Sequence, residues 1–210
     1  MRRLEHIALW GGVAAPLLYV VTVLAGGAVL PGYDPVTDPI SALTAAGRPG
    51  IKWIEAGFGL YNLLLMAFAA AGWILADSGW RRVFVTLMVT ASSGLLMWPF
   101  AMDMPGAPVS AGGLVHLTLA GVASISTIVA VWLSIGNWHR LGQRRMQWFS
   151  SVCLVVIALS GAAAGAAAVL GWPIVGLLER LTIGGFLFWL AVTAARFAAT
   201  SNLAPARSPN

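Results

Sequence analysis

The residues of this chain that could do chemistry are few, and they fall close to the ends of long apolar stretches. They are five carboxylates, one imidazole and one guanidinium, namely Asp34, Asp38, Glu55, Asp103, Glu179, His116 and Arg180. An arginine can hold a phosphate or carboxylate through paired hydrogen bonds, and a histidine oriented by an aspartate can act as a general base. Ionisable groups at the mouths of membrane helices usually turn inward and pair. These side chains therefore predict either a polar binding pocket or a structural ion network.

Several common sites lack the residues that they need. The histidines are His6, His116 and His139, and two of them fall on the opposite side from the third, which excludes paired-histidine haem and three-histidine zinc. A zinc site of one histidine with two carboxylates stays open as a weak alternative. Cys153 is the only cysteine, so there is no intrachain disulfide or CxxC pair. The single lysine, Lys52, lies at the mouth of a span rather than inside it, unlike a retinal-binding lysine. Walker, Rossmann and GxSxG patterns are missing. We expect no cofactor and no metal.

The composition places these residues in a membrane protein. Of 210 residues, 59% are hydrophobic and 9% are charged, against about 25% charged in a typical soluble domain. The mean hydropathy is +0.85. The net charge of +5 would suggest a nucleic-acid partner in a soluble protein, but here the basic residues flank apolar stretches. We therefore expect membrane lipids as partners and no nucleic acid.

Six stretches are long enough to cross a bilayer, which needs roughly 20 apolar residues in a helix. They are 7–30, 53–76, 83–102, 113–136, 149–170 and 173–197. Backbone groups in lipid must bond internally, which predicts helices, and strict alternation typical of a membrane barrel is absent. The fold prediction is an all-α, six-helix transmembrane bundle forming one domain over 1–200, followed by a flexible cytoplasmic tail at 201–210.

The positive charges predict the orientation of the bundle. Nine of the twelve basic residues fall on the side of both termini, namely Arg2, Arg3, Arg81, Arg82, Arg140, Arg144, Arg145, Arg196 and Arg207. The positive-inside rule then places both termini in the cytoplasm of a multi-pass cell (plasma or inner) membrane protein. The longest connection, 31–51, lies outside, and its Pro-Gly and Asp-Pro pairs are turn signals.

Small residues in the fifth span predict close helix packing. Gly161 and Gly165 have GxxxG spacing with alanine and serine neighbours. In lipid, such residues allow backbones to approach closely. They indicate either a homodimer or contacts inside one bundle, and with six helices available we favour the contacts inside the bundle.

The topology brings the polar residues to the outer side. The tops of spans two, three, four and six would form an outward-facing polar pocket covered by the long first connection. We expect Arg180 to pair with Glu179 or Asp103, and His116 to lie within hydrogen-bond reach of Asp103. The alternative is that the same pairs only fix the positions of the helices.

Three motifs resemble a known family. They are Asp38–Leu43 in the first connection, Pro99–Asp103 followed by His116, and Gly176–Arg180 followed by Trp189. The resemblance is to the domain of unknown function 998 family of six-helix bacterial and archaeal membrane proteins. It implies site residues Asp38, Ser41, Asp103, His116, Glu179 and Arg180. A weaker similarity to the Frag/DRAM/Sfk-type membrane proteins implies a lipid context.

Three functions remain open. The first is a non-enzymatic protein whose outer pocket engages a lipid head group or small amphiphile through Arg180, with carboxylates orienting polar groups. The second is an accessory or scaffold subunit of a membrane complex, with a purely structural network. The third is an intramembrane hydrolase or acyl transferase in which His116, oriented by Asp103, activates water or Ser41.

Overall fold

The computed structural model describes residues 2–48, 51–104 and 106–201, and in these ranges the chain forms helices and no strands. The α-helices are α1 Arg2–Val29, α2 Lys52–Leu75, α3 Ser78–Leu96, α4 Ala111–Arg140, α5 Arg144–Leu170 and α6 Val175–Ser201. A short 3₁₀ helix, Ile40–Thr44, lies in the connection between α1 and α2. The all-α, six-helix prediction is confirmed. Most of the predicted tail, 202–210, lies outside the described residues, so the division at residue 200 stays a prediction.

The six helices close into a ring. Each helix packs against its neighbours in sequence, and α1 also packs against α6. Consecutive helices run antiparallel, as where Gly12 near the start of α1 faces Phe68 late in α2 and Gly26 late in α1 faces Ile54 early in α2, which is the arrangement of an up-and-down bundle. The connections α1–α2, α3–α4 and α5–α6 therefore share one end, which we name the first-loop end. The other end, which we name the terminal end, has the start of α1, the end of α6 and the connections α2–α3 and α4–α5.

Five of the described helices are long and apolar enough to cross a membrane, namely α1, α2, α4, α5 and α6. The remaining helix, α3, has 19 residues and carries Arg81 and Arg82 in its first turns. It is offset from the predicted stretch 83–102. Asp77 caps its start by accepting hydrogen bonds from the N–H groups of Gly79 and Trp80 at 2.9 and 3.1 Å, and it ends three residues before Pro99, which cannot continue a helix.

Large aromatic side chains fill the centre of the ring and hydroxyl groups join the helices around them. Trp189 of α6 is fully buried, and its Nε1 donates to Ser134 of α4 at 3.2 Å and to Ser150 of α5 at 3.1 Å. Thr90 and Ser126 form a similar link between α3 and α4 at 2.8 Å. Such hydrogen bonds fix the helices relative to one another in an apolar surrounding.

The two glycines of the predicted packing face behave differently. A β-carbon at Gly161 would lie 3.4 Å from the Cγ2 of Thr182, so α5 contacts α6 closely there. A second link at this level joins Ser160 and Thr182 through their hydroxyls at 2.8 Å. Gly165 is exposed, with nothing within 4 Å of a β-carbon placed there. Packing inside the bundle therefore explains Gly161 and leaves Gly165 on the outer surface.

Candidate functional site at the first-loop end

The connection between α1 and α2 folds back onto the bundle and covers its first-loop end. Its 3₁₀ helix buries Ile40, Ala42 and Leu43. These side chains form an apolar cluster with neighbours from the connection and from α2, namely Leu30, Tyr33 and Ile54. Burial of this apolar surface holds the connection against the helices. We name this segment, residues 30–48, the plug.

Glu179, in the first turns of α6, caps the 3₁₀ helix of the plug. Its Oε2 accepts a hydrogen bond from the backbone N–H of Ile40 at 2.6 Å. The first N–H groups of a helix lack internal partners, and a carboxylate both accepts from them and is favoured by the helix dipole. The carboxylate of Glu179 therefore binds the backbone of the plug.

The neighbouring Arg180 binds the same segment from the other side. Its Nη1 donates to the carbonyl oxygens of Asp38 at 3.0 Å and Gly176 at 2.9 Å. Its Nη2 donates to the hydroxyl of Tyr33, and the guanidinium lies 5.5 Å from the centroid of that ring. The Tyr33 hydroxyl in turn donates to the carbonyl oxygen of Pro39 at 3.3 Å. Burial raises the pKa of Tyr33, which keeps this relay protonated.

The predicted ion pair between Arg180 and Glu179 or Asp103 is wrong. In the described part of the chain the one salt bridge joins Arg140 to Asp77, at the terminal end. Arg180 instead takes neutral acceptors, because the plug presents carbonyl oxygens and a phenol where a carboxylate was expected. Backbone carbonyls are good acceptors for a guanidinium, which has five donors to satisfy.

A glycine at the start of α6 makes the close approach of the plug possible. A β-carbon at Gly176 would overlap with the carbonyl oxygen of Asp38 and would lie 2.8 Å from that of Pro35. The next residue, Leu177, donates its backbone N–H to the carbonyl oxygen of Val36 at 3.0 Å. The backbones of α6 and the plug are therefore in direct contact, which only a residue without a side chain allows.

The plug is also tied to the connection between α3 and α4. The hydroxyl of Ser41 donates to the sulfur of Met102 at 2.8 Å. The backbone N–H of Ala46 donates to the carbonyl oxygen of the same methionine at 2.9 Å. Ser41 is thus engaged with a thioether, which is a weak acceptor and no base.

Asp103 organises the start of α4. Its Oδ2 accepts from the backbone N–H of Ser110 at 2.9 Å and its Oδ1 from the Ser110 hydroxyl at 2.7 Å. The same hydroxyl accepts from the N–H of Gly113 at 3.0 Å, which caps α4. The hydrogen bonds from Ser110 lower the pKa of Asp103, and the nearby His116 acts in the same direction. Asp103 is therefore ionised at neutral pH.

His116 bonds to the chain just before Asp103 rather than to its carboxylate. Its Nδ1 donates to the carbonyl oxygen of Phe100 at 2.8 Å, and the ring is buried. His116 was predicted to lie within hydrogen-bond reach of Asp103; among the described residues no hydrogen bond joins them, and both carboxylate oxygens accept from Ser110. The two side chains nevertheless fasten the same connection between α3 and α4.

The candidate residues form two groups joined by the plug. Asp38, Glu179 and Arg180 meet where the plug contacts α6, and Asp103 and His116 meet at the α3–α4 connection. Ser41 links the plug to the second group through Met102. The side chain of Asp38 acts locally, where its Oδ2 accepts from the N–H of Asp34 at 3.0 Å. Across residues 2–48, 51–104 and 106–201, no three His, Cys, Asp or Glu side chains lie close enough to share a metal ion.

Arg180 and His116 each have one side-chain nitrogen that forms no hydrogen bond in the described chain. Within residues 2–48, 51–104 and 106–201, the hydrogen bonds of Arg180 come from Nη1 and Nη2 and that of His116 from Nδ1, and Nε of Arg180 and Nε2 of His116 make none. The buried polar atoms without a partner in the described chain are Arg48 Nε, Trp138 Nε1 and Thr193 Oγ1. The side chain of Arg180 is half-buried, whereas that of His116 is buried.

Sequence reasoning gave no role at this site to four residues, namely Tyr33, Met102, Ser110 and Gly176, although Met102 and Gly176 lie inside the family motifs. Ser110 had a usable signal, since a serine directly before an apolar run is a helix-start signature. Tyr33 lies 147 positions before Arg180, and nothing local in the sequence indicates that the two side chains are in contact.

The family assignment rests on a match over most of the chain. The family model described as Protein of unknown function (DUF998) matches residues 13–196. The chain belongs to this family. No curated protein and no solved structure matches it. The matched range of this DUF998 protein contains the plug, the residues of α6 and of the α3–α4 connection that contact it, and Ser110, which caps α4. The weaker similarity to the Frag/DRAM/Sfk-type proteins stays a prediction.

Proposed function

We propose that this DUF998 protein is a multi-pass protein of the cell membrane with six crossings and both termini in the cytoplasm. The antiparallel ring supports an even number of crossings, since α3 runs beside α2 and α4 over 19 residues, or about 28 Å of helix. The basic residues of the terminal end support the orientation. The plug then faces outward.

Within that frame, the protein works as a non-enzymatic accessory or scaffold subunit whose polar network is structural. One observation carries this proposal: Glu179 and Arg180 form their hydrogen bonds with the backbone of the plug and with the hydroxyl of Tyr33. A ligand site would keep such groups directed at open space, whereas these groups hold a packed segment in place. Membrane lipids surround the bundle, and a complex partner or a second copy would dock on its outer faces.

The experiment compares stability with lipid retention in two variants. Arg180→Gln removes the guanidinium that donates to Asp38 and Tyr33 of the plug. Lys52→Gln is the matched control, since Lys52 is exposed at the same end. We expect Arg180→Gln to lower the melting temperature in detergent by several degrees and to speed amide exchange at residues 33–46, because a loss of about 1–3 kcal/mol is typical of a broken buried network. Lys52→Gln should change neither quantity.

A second candidate function, engagement of a lipid head group by Arg180, is supported by the half-buried position of this side chain, whose hydrogen bonds in the described chain come from Nη1 and Nη2. The plug holds Nη1 and Nη2 of the same guanidinium in place, so a phosphate could accept a hydrogen bond from Nε. The same two variants distinguish the functions. Unchanged stability of Arg180→Gln, together with loss of phospholipid that co-purifies with the unmodified protein, would favour the head-group site and contradict the structural role.

The geometry lends no support to the hydrolase or acyl transferase. Ser41 donates to a methionine sulfur, and the Nδ1 of His116 donates to a backbone carbonyl. Activation of a serine needs a base within hydrogen-bond reach of its hydroxyl. We therefore do not assign His116, Asp103 or Ser41 a catalytic role.

A further inference from the structure

A cleft at the terminal end has no role in the network described above. Its volume is about 300 Å³, and it lies where α3, α4 and α6 meet the connections α2–α3 and α4–α5. The aromatic walls are Trp80, Trp138 and Phe197. The ring centroids of the two tryptophans are 4.6 Å apart and those of Trp80 and Phe197 4.7 Å apart, with the rings edge-on in both pairs. This volume is at the lower end for small-molecule sites and suits a head group with its glycerol rather than a whole lipid.

The cleft contains a hydrogen-bond donor that the protein does not use. Trp138 is 3% exposed, and its indole Nε1 is buried without a partner in the described chain. A buried indole N–H normally finds an acceptor, because leaving it unpaired is unfavourable. Since Trp138 lines the cleft, an acceptor oxygen bound there would satisfy this donor.

The rim of the cleft is positively charged. Arg196 lines it, is exposed, and is oriented by a hydrogen bond from its Nη2 to Oε1 of Gln143 at 2.8 Å. Asp77 also lines the cleft, but its charge is matched by Arg140 at 3.1 Å. Further exposed arginines share this end of the bundle, namely Arg81, Arg82, Arg144 and Arg145. The local field therefore favours an anion.

The position of the cleft favours an anion that belongs to a membrane lipid. It lies at the level where the helices end, which is the head-group region of a bilayer. Leu141 lines the cleft and is 50% exposed, so the opening adjoins the apolar outer surface. Trp73 and Trp148 are exposed at the same end, as in an interfacial aromatic belt.

We propose that this cleft is a binding site for an anionic phospholipid, in which Arg196 pairs with the phosphate and the indole N–H of Trp138 donates to an ester carbonyl. The acyl chains remain in the bilayer. This site is separate from the plug and does not depend on the function proposed above.

The test measures phosphatidylglycerol bound to the intact protein by native mass spectrometry, after reconstitution in phosphatidylcholine vesicles that contain phosphatidylglycerol as a minor component. Arg196→Gln and Trp138→Phe should each weaken this binding about tenfold, since a charged or buried hydrogen bond contributes on the order of 1.4 kcal/mol. The control Arg144→Gln removes the same charge from the same end, but Arg144 does not line the cleft. It should weaken binding by less than about twofold, because a charge that makes no direct contact with the phosphate acts only through a field that salt screens.

Trp138→Phe keeps an aromatic ring at a buried position and Arg196→Gln changes an exposed residue, so both variants should stay folded, and the melting temperature in detergent checks this; the smaller ring lowers stability only through its lost packing contacts. Equal losses in Arg196→Gln and Arg144→Gln would overturn the site in favour of diffuse attraction. Unchanged binding in Trp138→Phe would also overturn it. Displacement of the lipid by glycerol phosphate or inorganic phosphate would assign the cleft to a soluble anion instead.

Discussion

Single residues at the first-loop end show how charges are accommodated beside a membrane core. Glu179 and Arg180 are adjacent in α6, yet each turns to a different part of the plug. The carboxylate accepts from the N–H of Ile40, and the guanidinium donates to carbonyl oxygens and to Tyr33. Backbone groups thus satisfy both charges, which avoids the desolvation of an ion pair with unsatisfied atoms.

A test at this scale is Gly176→Ala. The added methyl group would overlap with the Asp38 carbonyl, and backbone cannot move aside as a side chain can. We expect a loss of about 2 kcal/mol in the free energy of unfolding, measured by thermal denaturation in detergent. Gly184→Ala is the control in the same helix, since its β-carbon meets nothing within 4 Å, and it should be neutral or slightly stabilising. Equal stability of the two variants would show that the plug is not held closely at 176.

At the scale of elements, the ring is held by paired contacts between neighbouring helices. Hydroxyl links join α3 to α4 and α5 to α6, and Trp189 joins α6 to both α4 and α5. Small residues permit the close approach, as where Gly12 of α1 faces Phe68 of α2 and Ala194 of α6. These interactions replace the hydrophobic driving force that is missing between helices in lipid.

The two glycines of α5 test this packing. Gly161→Leu should destabilise the bundle by about 1–3 kcal/mol, because the larger side chain must enter the contact with Thr182. The leucine side chain of Gly165→Leu would lie in open space, so this variant should leave the melting temperature unchanged. Cross-linking in membranes reports the oligomeric state in parallel. A loss of dimer in Gly165→Leu would reveal that the GxxxG face serves homodimerisation, whereas similar melting temperatures for both variants would contradict the α5–α6 assignment.

At the scale of the whole molecule, the two ends of the bundle differ in chemistry. The first-loop end has the plug, with mixed charges that are bonded to its backbone. The terminal end has exposed arginines and the aromatic cleft, and there the backbone N–H of Trp80 and the guanidinium of Arg140 lower the pKa of Asp77. This asymmetry is what an oriented membrane protein requires.

The proposed orientation can be tested by cysteine labelling in whole cells. Replacing the buried Cys153 by alanine gives a background without thiols, because the chain has no other cysteine. Val36→Cys, at an exposed position of the plug, should react with an impermeant maleimide from outside. Leu141→Cys, exposed at the terminal end, should react only after the membrane is opened. The reverse pattern would invert the protein and place the plug in the cytoplasm.

The sequence by itself determined the class of the protein, the number of helices and the side on which the polar motif residues gather. These properties follow from hydrophobic length and charge distribution, which are local and additive along the chain. Tertiary structure decided the partners of those residues. Arg180 meets Tyr33 and the Asp38 carbonyl. Asp103 accepts from Ser110, and His116 donates to a backbone carbonyl instead. Such pairings depend on how a loop packs across positions far apart in sequence, and many backbone acceptors compete with each carboxylate for the same donor. The terminal cleft likewise exists only once five separate segments meet around Trp138.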